Sequence, residues 1–104
     1  MGNQTAQITS DIDPILLQRA SRILKTLGHP TRLAIIDVLS EGELNVTEIQ
    51  HAIDEPQAIT SQHLRLMESR DILISRKEGV QVFYQLKDAF ITKILGCIRT
   101  CGLG

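Results

Sequence analysis

The two cysteines of the sequence, Cys97 and Cys101, are residues that could carry covalent or metal chemistry. They are four residues apart in a stretch that predicts a helix, and side chains at that spacing lie on one helix face. A pair of thiolates can bind a thiophilic metal or metalloid ion, or can be oxidised reversibly. Free cysteine is also common as a small apolar residue in packed interfaces, so a purely structural role stays open.

A disulfide between these two cysteines would have to distort the helix that carries them. Cβ atoms four residues apart in a helix are about 5–6 Å from each other, whereas a disulfide requires about 3.5–4.5 Å. Gly102 and Gly104 follow the pair, so we expect the last turn to unwind at small cost. Oxidation of Cys97 and Cys101 is therefore predicted to reshape this helix, which would make the pair a thiol sensor.

A second group of candidate functional residues lies between 57 and 65, where the sequence reads QAITSQHLR. Glutamine and arginine can make bidentate contacts with base edges, and serine and threonine can reach bases or phosphates. Arg76 and Lys77 follow in a charged turn, where a cation would find phosphate. The polar run alone could be the solvated face of a helix, but a basic hairpin at this distance favours DNA binding.

The other reactive residues form no recognisable catalytic or metal-binding motif. His29, His51 and His63 have neither His-x₃-His nor His-Cys spacing, so we expect solvated or DNA-facing roles for them. The sequence contains no phosphate-binding glycine loop, no Cys-x-x-Cys pair and no evident nucleophile–base arrangement. We therefore expect a protein that is not an enzyme and requires no cofactor.

Helical and strand patterns predict the elements that would position these residues. Five helices are expected, over 13–28, 30–42, 45–54, 58–70 and 88–101, with Gly102 as the final stop signal. Asn45, with Glu48 three residues later, predicts a capping box at the start of the third helix. Two β-prone runs flank a charged turn at 75–79 and predict a β-hairpin. The expected fold is mainly α with one β-hairpin, in the order ααααββα, which is a winged helix-turn-helix.

Length, charge and hydropathy limit the protein to a small class. A chain of 104 residues with a net charge of −1 has room for one domain and is not a nonspecific polycation. Between 57 and 87, five basic residues face three acidic ones, so positive charge concentrates where DNA contact is expected. We find no secretory signal and no membrane-spanning run, and expect a cytoplasmic protein with a flexible tail over 1–12 and one domain over 13–104.

The stretch from 24 to 86 strongly resembles the ArsR/SmtB family of bacterial repressors, and the likeness extends over roughly residues 15–100. Its most specific segments are LGHPTRLAII, SQHLRLMES and RKEGVQVFYQL. The resemblance implies a homodimer formed by the first and last helices, two recognition helices on a palindromic operator, and repression that an inducer relieves. By position, it implies DNA contacts from the recognition helix and the wing, at Gln57, Thr60, Ser61, Gln62, His63, Arg65, Arg76, Lys77 and Gln81.

The metal sites of the family's metal-sensing branches are missing from this sequence. Where the arsenic and cadmium/lead branches have Cys-x-Cys after Glu-Leu, residues 43–47 read ELNVT. The zinc-site positions fall on Asp88, Phe90, Cys101 and Gly104, of which only Asp88 matches. The first hypothesis is therefore derepression by a redox or reactive-sulfur signal at Cys97 and Cys101. A thiophilic metal or metalloid ion at the same cysteines is the alternative.

Overall fold

Five helices and a three-stranded sheet make up residues 8–101, the part of the chain that this computed structural model describes. The helices are α1 (Pro14–Leu27), α2 (Pro30–Val38), α3 (Val46–Ile53), α4 (Gln57–Ser69) and α5 (Ala89–Cys101). The strands are β1 (Leu44–Asn45), β2 (Leu73–Glu78) and β3 (Gln81–Leu86). Residues 1–7 of the predicted tail and the predicted stop at Gly102 lie outside the described residues. The predicted winged helix-turn-helix with the order ααααββα is confirmed, with β1 as an addition.

Side-chain caps fix the starts of the first three helices, where Asp13, His29 and Asn45 each accept a hydrogen bond from a backbone amide. The Asp13 carboxylate accepts a hydrogen bond from the Ile15 amide at 2.9 Å, and Pro14 occupies the first turn of α1. Asn45 and Glu48 form the predicted capping box at the start of α3. These local signals explain why the helix starts could be read from the sequence.

The end of α2 differs from the expectation that this helix continues to about residue 42. It ends at Val38, and a 3₁₀ turn over Leu39–Glu41 follows, in which Leu39 is buried. Gly42 then has φ of 149°, a conformation that other residues rarely adopt. The tighter turn lets the chain reverse into β1.

The sheet has the order β1-β3-β2 and is antiparallel throughout. β2 and β3 form the hairpin, and Glu78 lies opposite Gln81. The connecting turn therefore consists of Gly79 and Val80, with φ of 63° at Gly79, as short hairpin turns with a leading glycine require. The charged turn expected at 75–79 is corrected, because most of that segment belongs to β2.

The core lies between α2, α3, α4, α5 and the base of the hairpin. Ile36, Ile49, Leu64, Ile72 and Ile91 are fully buried there, one from each of these parts. α1 contributes fewer residues to the core and leaves most of its leucines exposed. Within residues 8–101, no helix combines the length and the apolar character needed to cross a membrane.

Candidate DNA-binding surface and sensor thiols

α3 and α4 form a helix-turn-helix, joined by a three-residue turn from Asp54 to Pro56. Asp54 ends α3 in the left-handed conformation, with φ of 55°. Aspartate tolerates this conformation better than most residues, so the chain turns sharply here. Pro56 precedes the first turn of α4. The turn thus sets α4 at an angle to α3 and exposes one side of it.

α4 has a buried side and a polar outer side. Leu64 and Met67 are fully buried against the core. Gln62 and Arg65 are exposed and three residues apart, so they share the face of α4 that points away from the core. An exposed amide and guanidinium on one helix face can reach base edges in a major groove.

The other predicted residues of α4 take up different positions. Gln57 is exposed in the first turn, and Ser61 is half-buried on the flank. Thr60 is completely buried, and its Oγ1 donates a hydrogen bond to the Pro56 carbonyl at 3.0 Å. The expectation that Thr60 contacts DNA is therefore revised, because its hydroxyl faces the interior and fastens the first turn of α4.

His63 is half-buried on the side of α4 that faces α2. Its Nδ1 accepts a hydrogen bond from Arg32 Nε at 3.1 Å, and its ring lies edge-on to His29 with the centroids 4.8 Å apart. Burial, Arg32 and His29 lower the pKa of His63, while Glu55 acts in the opposite direction. At a position where the sequence predicted a DNA contact, His63 thus contacts Arg32 and His29 within the protein.

The wing is the hairpin of β2 and β3. Its two predicted cations, Arg76 and Lys77, lie on strand β2 and not at the hairpin turn. Arg76 is paired with Phe83 and Lys77 with Val82 in the β2–β3 register. Val80 occupies the turn and is fully exposed. Gln81, at the start of β3, accepts a hydrogen bond from the Asn45 side chain at 3.3 Å. The expected location of the two cations at the wing tip is corrected, because the strand extends beyond them.

Arg76 is held by two carboxylates and a ring. Its Nε donates to both carboxylate oxygens of Glu43 at 3.0 and 3.1 Å, and its guanidinium also pairs with Glu78. The guanidinium lies 4.5 Å from the centre of the Phe83 ring. The hydrogen bond from Arg76 lowers the pKa of Glu43. Much of the positive charge of Arg76 is therefore already matched within the protein.

Cys97 and Cys101 are both exposed free thiols on α5. They lie on the same side of α5 as Phe90, which is also exposed, whereas Ile91 and Leu95 face the core. Arg99, between the two cysteines, pairs with Asp37 and so ties α5 to α2. Among residues 8–101, no three histidine, cysteine or acidic side chains come together as a metal site.

Sequence reasoning missed Arg32 and Glu43 as partners of the predicted site residues. Arg32 is 31 residues from His63, and Glu43 is 33 residues from Arg76. Pairs this distant in sequence leave no periodic signal, because tertiary packing alone brings them together. The one hint in the sequence was that Arg32 and Glu43 both lie close to glycines that predict turns, Gly28 and Gly42.

Comparison with known proteins agrees with this geometry. Residues 29–75 match the model of the family described as bacterial regulatory protein, arsR family. The biofilm growth-associated repressor of Xylella fastidiosa is 34% identical over 80 residues, which cover 77% of this chain and 70% of the relative.

Two solved structures share the fold. The transcriptional repressor BigR from Xylella fastidiosa is 31% identical with a TM-score of 0.79, over 85% of this chain and 90% of that one. A homodimeric winged helix-turn-helix DNA-binding domain from Mycobacterium bovis is 25% identical with a TM-score of 0.76, over 92% of this chain and 89% of that one. The chain therefore belongs to the ArsR family of bacterial regulatory proteins, as a DNA-binding winged helix-turn-helix transcription regulator.

Proposed function

We propose that this protein is a homodimeric repressor that binds a palindromic operator and is released by a signal at Cys97 and Cys101. The observation that carries the DNA-binding part is the polar outer face of α4 beside the β2–β3 hairpin, on which Lys77 is exposed. Gln62 and Arg65 would read base edges, with Gln57 and Ser61 beside them. Lys77 and Gln81 would contact the backbone from the wing.

The apolar side of α1 supports a dimer. Leu16, Leu17 and Leu24 are 54%, 43% and 55% exposed within one subunit. Together with Phe90 at 43%, they give an apolar surface shared by α1 and the start of α5. The Mycobacterium bovis domain that shares this fold is homodimeric. A second copy of the chain is the occupant that this surface would fit, and two-fold symmetry would place two copies of α4 on the two halves of a palindrome.

The thiol signal is supported by the exposure and common orientation of Cys97 and Cys101. A peroxide would oxidise one thiolate to a sulfenic acid and leave as an alcohol or water. The second thiol would then attack this sulfur, release water and form the disulfide. The two thiols would lose two electrons in total, and the peroxide would accept them. Because a disulfide at this spacing distorts a helix turn, oxidation would deform α5 next to the dimer surface.

A reactive-sulfur signal would use the same thiols. Attack of a thiolate on a persulfide or polysulfide donor would transfer one sulfur and expel the remaining thiolate. The second cysteine would then displace the transferred sulfur as hydrosulfide and give the same disulfide. Both chemical signals therefore end in one product, which mass spectrometry can identify.

A thiophilic ion is the second candidate signal. Cys97 and Cys101 supply two soft ligands from one subunit, and the corresponding pair of a second subunit could complete a four-thiolate set. Arsenite, Cd, Cu(I) or Zn suit such donors, and binding would link the two copies of α5. The third alternative is that both cysteines are packing residues of the dimer interface.

The test measures binding of a palindromic duplex from the region upstream of the protein's own gene, at fixed salt. Reduced, peroxide-treated, polysulfide-treated and arsenite- or zinc-treated protein are compared, together with Cys97→Ser and Cys101→Ser. We expect the reduced protein to bind and oxidation to release it, with both serine variants insensitive and dithiothreitol restoring binding. Arg65→Ala should weaken operator binding by about 1–3 kcal/mol. Arg22→Ala, an exposed change on the side of α1 opposite Leu16 and Leu24, is the matched control.

Each other outcome has a distinct meaning. Release by the metal or metalloid alone would assign the signal to an ion. If operator binding is unaffected by every treatment, the protein is a repressor whose cysteines are structural. If neither this duplex nor any duplex selected from a random pool is bound, the DNA-binding function itself is wrong.

A further inference from the structure

Three elements meet at the end of α1, where Thr26 accepts hydrogen bonds from two arginines. Arg32, on α2, donates from its NH1 group to the Thr26 carbonyl at 3.0 Å and from Nε to His63 at 3.1 Å. Arg70, which follows α4, donates to Thr26 Oγ1 at 3.3 Å. Thr26 is only 1% exposed. We call the set Thr26, Arg32 and His63 the Arg32 latch.

The hydrogen bond within the latch specifies the protonation state of His63. Arg32 Nε is a donor only, so His63 Nδ1 must accept with a lone pair, and the ring proton lies on Nε2. The doubly protonated ring has no acceptor and would place a second positive charge beside Arg32. The latch is therefore made only by neutral His63.

We propose that Arg32 and His63 are positioning residues for operator binding, which hold α4 in its DNA-reading orientation relative to α1. The proposal rests on the proposed DNA-binding function. In this role, His63 acts through its hydrogen bond with Arg32 and does not contact a base directly. Because α1 carries the proposed dimer surface, the latch would also fix the orientation of α4 relative to the dimer axis. The two copies of α4 would then keep the spacing that a palindrome requires.

The latch predicts that operator affinity falls as the solution becomes acidic. The charged groups around His63 are Arg32 from α2, His29 from the turn before α2, and Glu55 from the turn before α4. Burial and the two basic neighbours place the pKa of His63 below its ordinary value of 6.5. The latched state is thus intact above that value and is lost as the pH falls through the lowered pKa. Protonation elsewhere on the protein would instead favour binding to DNA, so the sign is diagnostic.

The experiment compares two substitutions of His63, with the duplex that wild-type protein selects from a random-sequence pool as the probe. In His63→Asn, the amide oxygen takes the place of Nδ1, so the acceptor for Arg32 remains but the titration and Nε2 are removed. In His63→Ala, the acceptor is lost as well. Dissociation constants are measured at fixed salt from about pH 8 to about pH 5, which spans the histidine range. Circular dichroism and sedimentation verify folding and assembly for each variant.

We expect His63→Ala to weaken binding about tenfold near neutral pH, as loss of a charged hydrogen bond implies. His63→Asn should stay within about twofold of wild type there, since its acceptor is preserved, and should lose the decline at low pH. His29→Asn, which retains a helix-capping side chain, and the exposed His51→Asn should both keep that decline.

A substitution of Arg32 separates positioning from phosphate contact. Arg32→Lys preserves the charge but cannot hold Thr26 and His63 with the same planar group. We expect weaker binding with an unchanged slope of log affinity against log salt, because no phosphate contact is lost.

Two results would overturn the latch. If His63→Asn binds as poorly as His63→Ala, then Nε2 contacts DNA directly; if His63→Ala binds like wild type, His63 has no role. If one of the variants His63→Asn, His63→Ala and Arg32→Lys fails to fold, the other two still test the proposal. Failure of wild-type protein to bind any duplex would instead reject the DNA-binding function.

Discussion

Arg76 and Lys77 are neighbours on the wing, yet their environments differ. Arg76 is engaged by Glu43, Glu78 and the Phe83 ring. Lys77 points to the other side of the strand, and no ion pair involves it within residues 8–101. Sequence alone had given both the same role. Arg76 is thus engaged within the wing, whereas Lys77 is the wing cation that we propose contacts phosphate.

This division predicts a specific salt dependence for Lys77. Replacement of Lys77 by alanine should weaken binding to all DNA sequences alike, and should reduce the slope of log affinity against log salt by about 0.9. The measurement is a salt titration of operator binding and of nonspecific binding. Arg22→Ala, on the side of α1 opposite its exposed leucines, should leave the slope unchanged. An unaltered slope in the Lys77 variant would mean that this side chain makes no phosphate contact.

Residues of α4 and their partners also show which features of the site were not predicted from the sequence. Thr60 and Gln62 were predicted together as one polar segment, although helical spacing places Thr60 on the same face as Leu64 and Met67, four and seven residues further along. Thr60 is buried and Gln62 is exposed because Leu64 and Met67 set the inward direction of the helix. The partners Arg32 and Glu43 required the tertiary fold. The contacts of the site were therefore less predictable than its location.

At the scale of elements, the start of α3 joins the helix-turn-helix to the wing. Asn45 caps α3, pairs with Phe83 across β1 and β3, and donates to Gln81. The capping box was predicted from the sequence because all its groups are local. β1 was not, since a two-residue strand exists only through its pairing with β3, as between Leu44 and Tyr84. Local signals thus gave the helices, and long-range pairing added the third strand.

Asn45 therefore provides a test of how much this junction contributes to stability. Asn45→Ala should lower the free energy of unfolding by about 1 kcal/mol, because the Glu48 amide loses its acceptor. Asn45→Ser retains a capping oxygen and should recover most of that loss. Urea unfolding followed by circular dichroism measures both. Gln81→Ala removes the amide contact alone and serves as the control. Equal losses for the alanine and serine variants would show that the cap is not the source of stability.

At the scale of the whole molecule, the apolar surface of α1 remains exposed to solvent in a single subunit. A groove of about 440 Å³ lies there, lined in part by Leu16, Leu17 and Phe90. Cys97 and Cys101 continue the same side of α5 that Phe90 begins. A chain of 104 residues buries a modest core, so association through this surface would add to its stability. Dimerisation and the thiol signal would then both depend on α1 and α5. DNA binding would depend on them indirectly, because the dimer positions the two copies of α4.

Leu16→Glu tests this arrangement, since Leu16 is 54% exposed within the subunit and its replacement should spare the core. We expect sedimentation to show a monomer with wild-type helical content, because a buried charge opposes association. Operator affinity should fall sharply, as the two half-sites lose their linked readers. The melting temperature should rise with protein concentration for wild type but not for this variant. Ile74→Glu, at a 39% exposed apolar residue of β2, should remain dimeric. A dimeric Leu16 variant would place the interface on another surface and separate the cysteines from subunit association.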